Sequence, residues 1–384
     1  MQSDIFGEND LISIFVIGDP HFRAKNFQEG EELIEKCVDM VENLTPSIIV
    51  LLGDVLDTHE VARNTPWNQA CDFIEKLSAV APTYVLMGNH DLINQNQFLS
   101  NKHFFNPLKK WENVYIVDEP IIVEVGLFRV AMCPYTPPGR FVEALDTLGS
   151  AGESDDGLAE WQRGVSCIFG HQEFAGVNYG GKESEKGDVW GSSNPPVISG
   201  HIHTPCQIGT NVFYPGSSIQ VASDEAPDKR VWNITFDSDE EIGSVEALQI
   251  DKIDLGLKFK KEIEMAYENI GEFDFDLAEK YYVKIKLRGT PEQFKLFRKS
   301  KMYTKMNAAN IKICFDPISD DAALRLDLGE TGGTKEDLSF ENILRLLVKE
   351  KPDVVKRAYE ELYGTVVDDE EDMEYELVFV GAED

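Results

Sequence analysis

Three short apolar runs, Leu11–Gly18, Ser47–Gly53 and Thr83–Gly88, each end in glycine followed by a polar side chain: Asp19, Asp54 and Asn89 in turn. Between them the apolar residues change to helical spacing, with Leu33, Ile34, Cys37, Val38 and Val41 in the first interval and Ala70, Phe73, Ile74 and Leu77 in the second. Uninterrupted apolar runs suit strands covered on both faces, and strands joined through helices pair in parallel by right-handed crossovers. Such a sheet presents its polar groups just beyond the carboxyl ends of the strands, so Asp19, Asp54 and Asn89 are expected on one rim.

After Asn113 the runs become shorter and richer in β-formers: VYIV, IIVEV, FRVAMCP, VSCIFGH, PPVISGHIH, NVFYPGS and RVWNITF. They read as a second sheet, with a surface loop at Gly149–Gly157 and a turn at residues 237–245 near the end of the domain. The fold class is therefore α/β (α+β). A smaller α/β unit follows, with YYVKIKL and NIKICF as strands around a helix at residues 291–299. Residues 340–362 then read as two amphipathic helices broken at Pro352. The expected division is a main domain over 1–250, a small α/β domain over 255–318, helices over 338–364 and an acidic tail over 365–384.

The 384 residues carry 36 lysines and arginines against 69 aspartates and glutamates, a net charge of −33. That balance argues against gripping bare nucleic acid through a broad basic surface. The charge is uneven, however. Residues 277–312 hold ten basic side chains against two acidic ones, Glu279 and Glu292, while seven of the nine residues from Asp368 to Glu376 are acidic. With 42% hydrophobic residues the chain is neither a collagen, a coiled-coil rod nor wholly disordered. Leu11–Ile17 is too short to span a membrane and follows Asp4, Glu8 and Asp10, so neither a signal peptide nor a membrane segment is expected. Six dispersed cysteines without a CxxC pair read as reduced, buried thiols of an intracellular protein.

Five of the seven histidines sit in short polar clusters at expected strand ends: Asp19-Pro-His21, Gly53-Asp-Val-Leu-Asp57, Gly88-Asn-His-Asp91, Gly170-His171 and Gly200-His-Ile-His203. A mix of carboxylate, imidazole and one amide oxygen suits Mn, Fe or Zn rather than calcium or copper. Seven such ligands are too many for one ion. Sharing one carboxylate gives two four-ligand sites, and two ions about 3.5–4 Å apart are a standard arrangement for hydrolysing phosphate esters. Asp91 reads as a turn-stabilising side chain, and His59 and His103 as surface or packing residues.

This ordered set resembles the calcineurin-like metallophosphoesterase superfamily. The resemblance implies a four-layer β-sandwich flanked by helices, with a small α/β capping domain and C-terminal helices. It implies one metal held by Asp19, His21, Asp54 and His203, and a second held by Asp54, Asn89, His171 and His201, with Asp54 as the bridge. His90 would be the non-ligand proton donor to the leaving oxygen, and Asp57 would orient it. Serine/threonine protein phosphatases of this superfamily carry arginine and glutamate where this chain has Thr58 and Asp91, which departs from their pattern.

Gly53-Asp-Val-Leu-Asp-Thr58, Gly-Asn-His-Asp91, Gly170-His-Gln-Glu-Phe-Ala-Gly176, Ser199-Gly-His-Ile-His-Thr204 and Tyr214-Pro-Gly-Ser217 look like the double-strand-break repair and recombination nuclease branch. That branch, which includes the SbcCD type and its phage and large-virus counterparts, implies a Mn2+-dependent DNA exo/endonuclease, with Mg2+, Fe2+ or Zn2+ as alternative metals. It also implies an SMC-like ABC ATPase partner docking on the C-terminal helices, and a homodimer. The basic island then places Lys295, Arg298 and Lys299 as candidate DNA contacts in the cap. The competing reading is a small-molecule phosphodiesterase or phosphatase of the same superfamily.

Overall fold

The computed structural model describes residues 12–318 apart from 60, 62, 150–158, 180–181, 223–224 and 238–239. The expected C-terminal helices at 338–364 and the acidic tail at 365–384 lie outside the described residues, as does most of the loop at 149–157.

Strands β1 (Ser13–Ile17), β2 (Ile48–Leu51), β3 (Thr83–Leu86) and β4 (Val114–Val117) pair in parallel, with helix α1 (Phe27–Leu44) after β1 and α2 (Asn64–Ser78) after β2. Helix α1 stops where Thr45 turns left-handed (φ +43°) and returns its N–H to the Val41 carbonyl, just before Pro46. Next come β5 (Ile121–Val125), β6 (Phe128–Met132), α3 (Phe141–Leu145) and β7 (Val165–His171). A small antiparallel pair, β8 (Asn178–Tyr179) and β9 (Lys182–Glu183), precedes β10 (Val197–Gly200), β11 (Cys206–Ile208) and β12 (Val212–Tyr214). Strands β13 (Arg230–Phe236) and β14 (Leu248–Asp254) then pair antiparallel.

Two six-stranded sheets result, ordered β14-β13-β1-β2-β3-β4 and β11-β12-β10-β7-β6-β5. This corrects one expectation: VYIV and RVWNITF, read above as strands of the second sheet, belong to the first. Strand β4 extends the parallel set beyond β3, and β13 returns antiparallel along the free edge of β1. A run of β-formers states that a strand exists; its hydrogen-bonding partner is decided by which sheet edge is open when the chain returns.

The layering follows from the two-residue alternation of side chains. Phe15, Ile17, Ile49 and Leu51 pack with Leu33, Cys37, Phe73 and Leu77 of α1 and α2. Their neighbours Ile14, Val16, Val50 and Leu52 face the other way and meet Val130, Met132, Cys167 and Phe169 of the second sheet. The far face of that sheet, with Ala131, Ile168 and Val197, is covered by Phe141 and Leu145 of α3 and by Trp161. Helix, sheet, sheet and helix form the four layers, and β2, buried on both faces, is apolar throughout.

Beyond Asp254 come β15 (Phe259–Ala266), α4 (Asp276–Lys280), β16 (Tyr281–Gly289), α5 (Pro291–Arg298), α6 (Lys301–Ala308) and β17 (Lys312–Pro317), with a sheet order β15-β16-β17. The described residues fall into two compact units, 12–286 with 300–314 and 287–299 with 315–318. In the second unit, Thr290 caps α5 by a reciprocal pair of bonds with Gln293.

All six cysteines are free thiols. Only Cys37, Cys133 and Cys167 are buried; Cys71 and Cys206 are half-buried and Cys314 is exposed, so the expectation of uniform burial holds for the sheet and helix cores alone. Among the described residues no helix is long and apolar enough to cross a membrane.

Phe169 is fully buried between the sheets, whereas Leu127 is 87% exposed. Phe169→Ala is expected to lower the unfolding free energy by about 3–5 kcal/mol in a urea titration. Leu127→Ala should change it by less than about 0.5 kcal/mol; equal effects would contradict the layer assignment.

Candidate active site

The polar clusters leave the carboxyl ends of β1, β2 and β3 in one sheet and of β7 and β10 in the other. The first two stay zipped past the strand ends: the His21 N–H donates to the Asp54 carbonyl at 2.9 Å, and the Phe22 N–H to the Val55 carbonyl at 2.8 Å. Close backbone approach explains two glycines. A Cβ on Gly18 would run into the Gly216 carbonyl, and one on Gly88 into the backbone of Asp54. Asp19, His21, Asp54 and His201 adopt left-handed backbone, with φ of +30°, +45°, +47° and +81°. For non-glycine residues this costs about 1–3 kcal/mol each and persists only where the surroundings over-determine it, which is typical of functional sites.

All seven expected ligand residues come together. Asp19, His21 and His203 form one group and Asp54, His171 and His201 another, each with its donor atoms within 4.8 Å of one another. Asn89 joins the second, its Oδ1 lying 2.8 Å from His201 Nδ1 and 3.2 Å from His171 Nε2. Asp54 stands between the groups: one carboxylate oxygen is 3.6 Å from His21 Nε2 and the other 3.4 Å from His171 Nε2. Asp19, His21, Asp54, Asn89 and His171 are buried, and His201 and His203 half-buried.

The donor set fits divalent cations. His171 Nδ1–H donates to the Leu52 carbonyl at 2.7 Å, so in the neutral ring Nε2 is a lone pair facing the oxygens of Asn89 and Asp54. His203 Nδ1 lies 3.0 Å from Glu225 Oε1, which turns its Nε2 toward His21 Nε2 at 2.9 Å. Asp19 Oδ1 is buried without a hydrogen-bond partner. Acceptors crowded together out of water require a proton or a cation among them.

Without such a cation, protons take up the balance. Burial opposes charge on Asp54, but the imidazoles of His171, His21 and His90 hold its carboxyl well below the usual range. Burial likewise opposes charge on His171, and Asp54 and Asp19 overcome it, raising that imidazole to about 9. Asp91 is pushed up to about 7 by burial and by the neighbouring Asp54 charge.

His90 belongs to neither ligand group. Its backbone N–H donates to Asp54 Oδ1 at 2.9 Å, and its Nδ1 meets the backbone carbonyl of Asp57 at 2.9 Å. That carbonyl can only accept, so Nδ1 carries the proton and Nε2 is the nitrogen available for proton transfer. The expected carboxylate–imidazole dyad is therefore altered. The Asp57 carboxylate points instead to His21 Nδ1 at 3.4 Å and to the Arg23 guanidinium at 3.4 Å, and Asp57 orients His90 through its main chain.

His59, read above as a surface or packing residue, stacks on His90 with ring centroids 4.8 Å apart and planes 12° from parallel. Its only sequence signal was its place two residues after Asp57. Glu173, 3.7 Å from His201 Nε2, and Glu225 were also not singled out. His103 does pair structurally, its Nε2 lying 3.1 Å from Asp118. Lys295, Arg298 and Lys299 are exposed on α5 and its C-cap in the second unit, with Arg298 over the Phe315 ring at 4.8 Å.

The calcineurin-like phosphoesterase family model matches residues 12–205. "Putative phosphoesterase 244L" of Invertebrate iridescent virus 6 is 40% identical over 293 residues, 76% of this chain and 99% of the relative. "Putative phosphoesterase 078R" of Invertebrate iridescent virus 3 is 33% identical over 306 residues, 79% of this chain and 84% of the relative. A match to the purple acid phosphatase of yellow lupin seeds has 13% identity and a TM-score of 0.40, covering 65% of this chain and 52% of that one. The chain belongs to the calcineurin-like phosphoesterase family. Its chemistry is metal-dependent hydrolysis of phosphoesters, and the two His/Asp groups are its candidate metal sites.

Asp91 has the structural role expected of it. Its buried carboxylate accepts from the N–H groups of Val55 at 3.3 Å, Leu56 at 3.0 Å and Gly88 at 3.0 Å, tying the β2 and β3 loops together. Asp91→Ala strands three buried donors and is expected to cost about 3 kcal/mol or more of unfolding free energy; a loss under about 0.5 kcal/mol in a urea titration would contradict this role.

Proposed function

We propose that this phosphoesterase is a DNA nuclease, hydrolysing phosphodiesters at a two-cation site and working with an SMC-like ATPase in DNA repair or recombination. In this reading Asp19, His21, Asp54 and His203 hold one cation, and Asp54, Asn89, His171 and His201 the other. The donor set suits Mn2+, Fe2+ or Zn2+, and the resemblance to the nuclease branch points to Mn2+ among them. Bound there, two divalent cations supply Lewis-acid charge beside the phosphorus. The chain's own residues do the rest: Asp54 sets the spacing between the groups, and His90, doubly protonated, gives its Nε2 proton to the leaving oxygen and returns to the neutral Nδ1–H ring, while the Asp57 carbonyl and the His59 ring hold its plane.

The observation that carries the choice of DNA is the distribution of unpaired cationic side chains, read with the nuclease-like motifs. Within the basic island, Lys284 and Lys286 pair with Glu262, Arg288 with Asp316 and Lys312 with Glu29. Lys295, Arg298, Lys299 and Lys301 are exposed and pair with no acidic side chain among the described residues. Cationic side chains without acidic partners are what phosphate contacts require. A chain of net charge −33 grips duplex DNA weakly by itself, so the reading assigns much of the grip to the ATPase.

Full-length protein with Mn2+ is expected to cleave single-stranded DNA or duplex ends as well as bis-p-nitrophenyl phosphate. His90→Asn should lower turnover by about 10²–10⁴-fold while leaving bound Mn2+ unchanged. Reversing charge at Lys295, Arg298 and Lys299 together should weaken DNA binding at low salt with small-ester hydrolysis intact. Hydrolysis of the small ester alone overturns the nuclease reading in favour of a small-molecule phosphodiesterase, and unchanged DNA affinity in the triple variant removes the case for the basic island.

A further inference from the structure

We infer that Glu225, locked in place by Lys229, is a positioning residue that fixes the tautomer of His203 and thereby sets the affinity of the cation site formed with Asp19 and His21; this rests on the two-cation reading above. Glu225 Oε1 lies 3.0 Å from His203 Nδ1. A carboxylate only accepts, so that nitrogen carries the proton and the opposite nitrogen, 2.9 Å from His21 Nε2, is left as the ligating lone pair. The alternative tautomer would put a proton into the cation site and two lone pairs against Glu225.

The carboxylate is held more firmly than a single bond would hold it. Its Oε2 accepts from the Lys229 ammonium at 2.9 Å, the Val221 N–H at 2.9 Å and the Ser217 hydroxyl at 3.4 Å. Lys229 is only 4% exposed and also donates to Ser217 Oγ at 2.8 Å. The Ser217 N–H in turn donates to the His203 carbonyl at 3.1 Å, so both ends of the network are tied to the same histidine. Burying an ammonium and a carboxylate is costly unless each is fully paired. Here the pair sits directly behind a candidate ligand, where the lysine balances the glutamate and adds no net charge beside the cations.

Other ligand imidazoles are held differently. His171 leans on the main-chain carbonyl of Leu52, and the Glu173 carboxylate is 3.7 Å from His201 Nε2, beyond hydrogen-bond range. Glu225 is a side chain through which the His203 site can be tuned without replacing a ligand; the Asp57 carboxylate, 3.4 Å from His21 Nδ1, is a second carboxylate behind the same group. Carboxylates behind ligating histidines raise ligand basicity, and their loss costs about 10–100-fold in metal affinity.

Calorimetric titration of the full-length, metal-free protein with Mn2+ tests this. Wild type should bind two equivalents. In Glu225→Ala one equivalent should weaken by about 10–100-fold while the other is retained. Glu225→Gln, which keeps an acceptor oxygen for Nδ1–H, should recover most of that loss. Because Glu225→Ala leaves Lys229 buried and unpaired, the double variant Glu225→Ala/Lys229→Met removes both charges; thermal unfolding of its metal-free form checks the fold, and it should show the same loss of one equivalent. A folded double variant that binds both equivalents with wild-type affinity overturns the assignment of Glu225. Wild type that binds no Mn2+ overturns the two-cation reading itself, a separate outcome.

Discussion

The structure is organised around an electrostatic problem: the carboxylates of Asp19 and Asp54 are buried together with the imidazoles of His21 and His171 and the amide oxygen of Asn89, with the half-buried His201 and His203 beside them. Isolated buried carboxylates are prohibitively costly, and acceptors facing acceptors make the cost worse. Protons relieve part of it, as the raised His171 imidazole shows. Two divalent cations would relieve it with charge that can also act on a phosphoester. Much around the site serves to keep these groups from relaxing apart: the left-handed ligand residues, the zipped β1 and β2 loops, and the three N–H groups gathered by Asp91.

Rigidity of this kind needs a stiff foundation. The two sheets share a continuous apolar layer, and each has its outer face covered by helices, so the strand ends are fixed by packing on both sides. Side chains such as Ile14 and Val16 contribute nothing chemical. They hold the carboxyl ends of β1 and its neighbours at a spacing that lets five separate segments of chain meet.

The seven ligand candidates were legible because each polar cluster follows a glycine at the end of an apolar run, a pattern that marks both a strand and its exit. Strand partners were less legible. Val114–Val117 and Arg230–Phe236 look like the other short runs, yet pair with β3 and β1, since hydrophobicity records burial and not neighbourhood. The Asp57 carboxylate was expected on His90; its direction depends on Arg23 and His21, which no local pattern around Asp57 encodes. His59 lands on His90 because of the path of a loop. Glu225 lies in Ala-Ser-Asp-Glu-Ala-Pro-Asp-Lys, a stretch that reads as solvated turn, and only the close return of the chain brings it to His203, 22 residues earlier.

The most direct test of the central claim is an anomalous difference map from a crystal of this protein soaked in Mn2+. The account predicts two peaks about 3.5–4 Å apart with the Asp54 carboxylate between them. A single peak, or density confined to acidic residues elsewhere on the surface, would contradict it.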